Sequence, residues 1–354
     1  MRTQHGVTWR TGLAWAAIAA LSCAVATLDP AASPLAAAPT PEYFKGKTIR
    51  VIVGYAPGGG YDLYARLLTD NLARFLPGVV PLIQYMPGAA TEVAARYIME
   101  VAPQDGTVIG IPVASLPIAS YVQHNPGEGI DVAALQWIGR MDSIDAVAAV
   151  WHTAGVDSME TALRRQLVFG ATSPSGSSFM VPQALVRLKI LNLKIVMGYK
   201  GTSDAYLAME RGEIDGMANA IWSQIKRGKP DWVEDRKIRI IYQQSEKRAA
   251  DLADVPALVE LARNETESRV FRLLASESTI GRSFYIGPKV PPERVAALRQ
   301  AFAAMVADPA FRASADRLET PIDPLSGEEM QQMITAISRY PPEVFQTARE
   351  LTAP

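Results

Sequence analysis

The sequence is short of reactive side chains. Among 354 residues there is one cysteine, Cys23, and there are three histidines, His5, His124 and His152. Cys23 lies within the first forty residues, so a chain that loses that segment has no disulfide, no thiol nucleophile and no thiolate for a metal. His124 and His152 stand far apart and in no metal-ligand spacing, so neither a metal nor any other cofactor is expected. Lysine and arginine number 35 against 36 aspartates and glutamates, with no basic run, which removes nucleic acid as a partner. Beyond the N-terminus no stretch approaches the roughly 20 apolar residues of a membrane helix. What is present, 49% hydrophobic and 20% charged residues, is the composition of a globule long enough for two domains.

Residues 1–38 read differently from the rest. Arg2 and Arg10 flank a polar start, an alanine-rich apolar stretch follows over 13–26, and small residues come after it, which is a secretory signal pattern. Cleavage after Ala26 and cleavage after Ala38 both fit the pattern, with Pro39 awkwardly placed after the second site. Lipid attachment at Cys23 is disfavoured, because "ALSC" carries alanine where a lipobox usually has leucine. The expected mature protein is exported and soluble.

Along the mature chain, strand-like runs at 48–55, 107–113, 146–150, 167–170, 194–199, 238–242 and 283–286 alternate with helical patterns. Tyr64, Leu67, Leu68, Leu72 and Phe75 share one helix face, as do Ala94, Tyr97, Ile98 and Val101. Alternation of this kind predicts an α/β fold with mostly parallel sheets. The last quarter is helical: Val295, Leu298, Phe302, Met305 and Val306 form one stripe, and Ser326 with Glu329 is a capping box before Met330, Met333, Ile334 and Ile337. No linker separates the halves, as expected if two α/β lobes are joined by crossing strands.

In "VIVGYAPGGGYDLYARLL", Gly58, Gly59 and Gly60 follow a strand and open a helix that Asp62 is suited to cap. Such a joint presents unpaired backbone N–H groups at the positive end of a helix dipole, a seat for a carboxylate or phosphate that needs no lysine. A Walker loop would place lysine where Tyr61 stands, and a dinucleotide fingerprint would need a third glycine near Ala65 and Arg66. A tight turn with no ligand is the plain alternative. Similar small-residue joints occur at "QYMPGAAT", "PVAS", "GATSPSGSS" and "MGYKGTSDAYLAM", and loops at strand ends of an open α/β sheet face the ligand crevice. Tyr55, Tyr61, Tyr199 and Trp222 are candidates to line it or to pack beneath it. Asp215 could cap a helix or orient a ligand.

"TIRVIVGYAPGGGYDLYARLL", "MPGAATEVAARYIMEVAPQDGTVIGI" and "VMGYKGTSDAYLAMERGEIDG", in this order after a signal pattern, resemble the periplasmic solute-binding receptors of tripartite tricarboxylate transporters, the Bug family. The most specific element is Pro57, Gly58, Gly59, Asp62, Ala65 and Arg66. The resemblance implies a two-lobed periplasmic binding protein fold of type II, with two Rossmann-like lobes and the ligand between them. The implied boundaries are 43–141 plus 279–354 for lobe 1, with the C-terminal helices packed on it, and 142–278 for lobe 2. Tyr55, Pro57, Gly58, Gly59, Gly60, Asp62, Pro87, Gly88, Ala89 and Ser115 would hold a small organic acid from the first lobe. Thr172, Ser173, Ser177, Tyr199, Gly201, Thr202 and Asp215 would do so from the second. The implied partners are separate transmembrane transporter subunits, the receptor itself being a monomer. A glycine common in the family is replaced at Ala90 or Thr91, and no histidine follows the serine-rich loop, so the acid could be a di- or tricarboxylate, an aromatic acid or an amino acid. Two rival readings are a secreted hydrolase using Ser177 and a sensor that presents its bound form to a membrane signalling protein.

Overall fold

The computed structural model describes residues 41–124 and 128–354, so the signal pattern and Cys23 lie outside the described residues. The chain starts one sheet with strands β1 (Thr48–Val53), β2 (Val80–Tyr85), β3 (Val108–Ile111) and β4 (Gln136–Arg140). It then builds a second from β5 (Ala146–Trp151), β6 (Gln166–Ala171), β7 (Asn192–Met197), β8 (Gly216–Ile221) and β9 (Ile238–Gln243), and returns with β10 (Ser283–Ile286) and β11 (Leu325–Ser326). The strand orders are β11-β4-β10-β3-β1-β2 and β7-β6-β8-β5-β9. The fold is α/β with two sheets.

The sheets are less parallel than alternation predicts. β1 runs parallel to β2 and β3, and β6 to β7 and β8. β10, which comes back from the second sheet, is antiparallel to β3 and β4, and β5, which enters the second sheet, is antiparallel to β8 and β9. A strand that crosses between sheets enters from the opposite end, so its direction is reversed.

Three apolar clusters hold these layers. One face of the first sheet is covered by the helices Gly60–Phe75 and Pro292–Ala307, with Leu68, Leu72, Leu298 and Phe302 buried as their spacing requires. One face of the second sheet packs under Trp222, Ile225 and Trp232. The largest cluster takes Ile52 and Trp137 from the first sheet and Ala148 and Phe169 from the second, with Phe271 and Leu274 of the helix Glu265–Ile280 among them. The two sheets therefore share a core as well as two crossing segments. Ser326 and Glu329 form the expected reciprocal cap. The helix Gly327–Ser338 lies on β4, whereas the last helix, Pro342–Thr352, also packs on Ser177–Arg187 from the second sheet's layer.

One expected helix face is only partly realised. Ala94 and Ile98 are buried, but Val101 is 70% exposed. The chain passes from α-helix at Glu92–Arg96 into a π-helical turn at Tyr97–Val101, and the extra residue in that turn rotates Val101 off the stripe.

The crossing segments bond to each other. Arg282 N–H donates to Asp142 O at 2.8 Å, Met141 N–H to Arg282 O at 2.9 Å and Ile144 N–H to Ser278 O at 2.8 Å. Gly281 allows this approach: its φ is +55°, and a Cβ there would lie 2.1 Å from Asp142 O. Gly281→Ala is expected to cost about 2 kcal/mol or more of folding stability, read as a lowered denaturant midpoint. An unchanged midpoint would mean that the crossing segments separate without cost.

Candidate functional site

A cleft of about 480 Å³ opens between the two sheets, within the range of small-ligand sites. The carboxyl ends of the strands supply its walls. From β1 come Tyr55, Pro57, Gly58, Gly59, Gly60, Tyr61 and Asp62; from β6 Thr172; from β7 Lys200, Gly201 and Thr202; from β8 Asn219 and Ile221. Glu277 and Arg282 enter from the crossing segment that leads into β10, and Gln224 from the helix Trp222–Gly228.

The glycine joint has the expected form with a different division of labour. Gly58 adopts φ +92°, a region that favours glycine, and Gly59 is the N-cap of the helix Gly60–Phe75. Asp62 is 3% exposed and does not present a free carboxylate. It accepts the Gly58 N–H at 2.8 Å, the Tyr85 hydroxyl at 2.6 Å and Arg66 Nε at 3.1 Å. Burial alone would push this carboxyl up, but those three donors hold it below its ordinary value. The Pro57-to-Arg66 pattern is therefore first a device for shaping the loop. It consumes one backbone N–H and leaves the first three N–H groups of the helix, at Gly60, Tyr61 and Asp62, without intrahelical partners.

Arg282 changes the electrostatics of the site. It is 6% exposed, its guanidinium lies 4.2 Å from the Tyr61 ring centroid and 5.7 Å from that of Tyr64, and none of the ion pairs among the described residues involves it. The Tyr61 ring is stacked in turn on Tyr55 at 5.4 Å, and its hydroxyl accepts the Ala114 N–H at 3.0 Å. A buried cation resting on an aromatic face and open to a cleft is a seat for an anion. Asp142, at the other side of Arg282's backbone, bonds the Tyr64 hydroxyl at 2.6 Å, and burial pushes its carboxyl up to about 7.

Glu277 faces the same space and is 2% exposed. Its Oε2 accepts from the Ser177 hydroxyl and from Gln244 Nε2, the latter at 3.2 Å. Burial pushes this carboxyl up to about 8, with the Arg282 charge acting in the other direction. On the opposite wall Asn219 adopts φ +59° at an irregularity in the β5–β8 pairing, and its buried Oδ1 has no partner among the described residues. A buried amide oxygen left unsatisfied at a cleft wall is a ready acceptor for a ligand donor.

Several expected site residues lie elsewhere. Asp215 precedes β8 at the end away from the cleft, and its carboxylate accepts the Val168 N–H at 2.7 Å, so it staples β6 to β8. Tyr199 packs against Gly170 and Ile214 beneath the cleft, and Trp222 donates its indole N–H to Asp251 at 2.9 Å. Ser173 approaches Gly176 within its own turn. Ala89 and Ser115 line a small adjoining pocket rather than the cleft; there Gln123 Nε2 reaches the Pro174 carbonyl at 2.9 Å, joining the two sheets' layers. Pro87 and Gly88 do not border the cleft either, and Gly88 is held against Val93.

That neighbouring turn is strained. Ala89, Ala90 and Thr91 take φ +44°, +48° and +72° in succession, while Thr91 Oγ1 accepts the Val113 N–H at 3.1 Å and fixes the turn on β3. The glycine that the sequence resemblance leads one to expect at Ala90 or Thr91 would adopt this backbone without strain. The left-handed conformation costs an L residue about 1–2 kcal/mol, part of which glycine's greater unfolded freedom offsets.

The family is decided by sequence. A model of the "Tripartite tricarboxylate transporter family receptor" matches residues 64–339. The chain belongs to this family. Its members are receptors and not enzymes, which removes the hydrolase reading of Ser177; that serine is buried at the first turn of Ser177–Arg187 with its hydroxyl on Glu277. A Cupriavidus necator protein named for the gbd 5′ region is 26% identical over 275 residues, 74% of this chain and 78% of that protein. Among solved structures, a TctC solute-binding protein from Polaromonas has a TM-score of 0.61 at 18% identity, covering 86% of this chain and 97% of its own. MatC from Rhodopseudomonas palustris with bound malate has 0.60 at 17%, covering 86% and 99%. Another R. palustris protein, solved with adipate, has 0.61 at 20%, covering 85% and 97%. At these identities the likeness is one of fold, a two-lobed binding-protein fold. This receptor therefore carries the family architecture around a cleft whose cation its relatives' names do not foretell.

Ala90→Gly is expected to raise stability by about 0.5–1 kcal/mol, measured by chemical denaturation. A loss of similar size would show that the turn is not strained at that residue.

Proposed function

We propose that this receptor is exported to the periplasm, where it captures a small organic acid between lobe 1 (43–141 plus 279–354) and lobe 2 (142–278) and delivers it to separate membrane subunits. The observation that carries this reading is Arg282, a buried guanidinium without an ion-pair partner among the described residues, at the wall of a 480 Å³ cleft. A carboxylate seated on it gains charge-assisted hydrogen bonds from a guanidinium largely withdrawn from solvent, while the helix N-termini at Gly60 and Thr202 add their N–H groups. Gly58, Gly59, Gly201, Thr172, Thr202 and Asn219 complete the contact surface, and Tyr55 with Tyr61 forms the aromatic side.

Capture and release follow from which parts each lobe supplies. Arg282 and the glycine joint lie on one side, Asn219 and Thr202 on the other, so a ligand spanning them favours the closed arrangement and an empty cleft does not. Malate and adipate, carried by two structural relatives, are natural first probes. The absence of a helix long and apolar enough to cross a membrane, among the described residues, agrees with transport through separate subunits. The receptor works as a monomer in this reading.

Isothermal titration of the signal-free protein against aliphatic, aromatic and amino acids should find one carboxylate class that binds. Arg282→Gln should weaken that binding about 100-fold, roughly 3 kcal/mol, with the melting temperature recorded alongside to confirm folding. Phosphate esters binding in place of every carboxylate, or a folded Arg282→Gln protein with undiminished affinity, would contradict the proposal.

A further inference from the structure

The carboxyl of Glu277 sits in the same cleft as Arg282, and an ordinary anion receptor has no use for a second anion there. Both of its hydrogen bonds fall on Oε2, from the Ser177 hydroxyl and Gln244 Nε2, and Oε1 has no partner among the described residues. We propose that Glu277 acts as a protonated acid that donates from Oε1 to the carboxylate held by Arg282, so that the receptor selects anions without a neighbouring cationic group and binds each one together with a proton. This inference rests on the carboxylate-receptor reading above and adds to it the charge class of the cargo and the residue that sets it.

The geometry supports the neutral form. An oxygen that accepts two donors while its twin is unpartnered matches a carboxylic acid, whose carbonyl oxygen accepts and whose hydroxyl donates. Glu277 lies on the buried stripe of Glu265–Ile280, in series with Val270, Leu273, Leu274 and Ile280, so water does not stabilise its charge. Groups from each wall face it. Arg282 is the cationic neighbour, Tyr61 and Tyr55 face it from the glycine joint, Ser177 from the helix Ser177–Arg187, Gln244 from the end of β9, and Lys200 stands exposed at the β7 loop. Both tyrosines are raised above their ordinary value by burial, so neither competes with Glu277 near neutral pH.

The sign of the effect follows directly. With Glu277 neutral, the only carboxyl left to offset Arg282 among these neighbours is Asp142, which the Tyr64 hydroxyl holds on the side away from the cleft. Burial pushes Asp142 up to about 7, so its charge is already established over the upper part of the pH range, and the cleft attracts an anion. With Glu277 ionised, the pair cancels and Oε1 repels a carboxylate oxygen. Burial pushes the Glu277 carboxyl up to about 8, against the lowering effect of the Arg282 charge. Affinity should therefore be full near pH 6.5 and fall about tenfold for each pH unit above the carboxyl's own titration. A zwitterionic amino acid behaves in the opposite sense, because its ammonium group would draw Glu277 into the ionised form.

The test measures dissociation constants by calorimetry from pH 6 to 9.5 for acetate, malate and adipate and for their amino-substituted counterparts glycine, aspartate and 2-aminoadipate, in wild type and in Glu277→Gln. The expected result is a carboxylate affinity that weakens about tenfold between pH 7 and 9, uptake of protons on binding at pH 8.5, and a flat profile in Glu277→Gln, which keeps a donor and cannot ionise. A flat profile in wild type, tighter binding of the amino acids, or an unchanged slope in Glu277→Gln overturns the inference while leaving the receptor reading intact. If no carboxylate binds at any pH, the receptor reading itself fails and the inference with it.

Discussion

The cleft is organised around a buried positive charge that has no ion-pair partner among the described residues. Arg282 emerges from a crossing segment pinned to its antiparallel neighbour by hydrogen bonds through Asp142 and Met141, and its guanidinium rests on Tyr61. Gly281 alone permits the approach that puts it there. Holding such a charge away from water is costly, and the fold tolerates it because the tyrosine faces and the open cleft replace part of the lost hydration. Much else is arranged to suit. Tyr61 is fixed by the Ala114 N–H, Asp142 is turned to Tyr64, and Asp62 is spent on the glycine loop and not aimed at the ligand.

That arrangement reconciles two demands on a receptor. In the proposed reading, backbone N–H groups and one guanidinium would give a carboxylate strong, directional bonds, and the cleft walls that supply them belong to layers built on separate sheets, so opening the cleft would break the bonds from one side. The shared apolar core and the last helix, whose Ala353 carbonyl receives Gln183 and Arg187 at 2.9 and 3.1 Å, limit how far the sheets can part.

Much of the fold was legible because it depends on local patterns. Stripes such as Val295, Leu298, Phe302 and Met305, and the Ser326–Glu329 cap, state their own structure. The glycine joint was legible for the same reason, since only glycine accepts the conformation of Gly58. Asp215 was misplaced because a carboxylate before a strand reads alike at either end of it, and the strand's direction relative to the cleft is a tertiary fact. Asn219 left no local trace, because its left-handed backbone arises from an irregularity in strand pairing. Glu277 did leave one: of the two acids on the otherwise apolar stripe of Val270, Leu273, Leu274 and Ile280, Glu267 has Arg263 four residues before it, and Glu277, without a basic residue at that spacing, marks a charge that packing has placed inside. Arg282 had no such context, since its neighbours in space come from residues 61–64 and 142.

Ligand position is the most direct measure of the whole account. Behind the crossing segments lies a second cavity of about 420 Å³, lined by Arg140, Lys247 and Arg248 with Asp145 and Asp251, and it shares the wall residue Ile144 with the cleft. A crystal structure of the receptor with its bound acid separates the two spaces without ambiguity. The account predicts a carboxylate against the Arg282 guanidinium, within hydrogen-bonding reach of Glu277 Oε1 and the Gly60 and Tyr61 N–H groups. An acid lodged behind the crossing segments, or held in the cleft with Arg282 turned away, would contradict it.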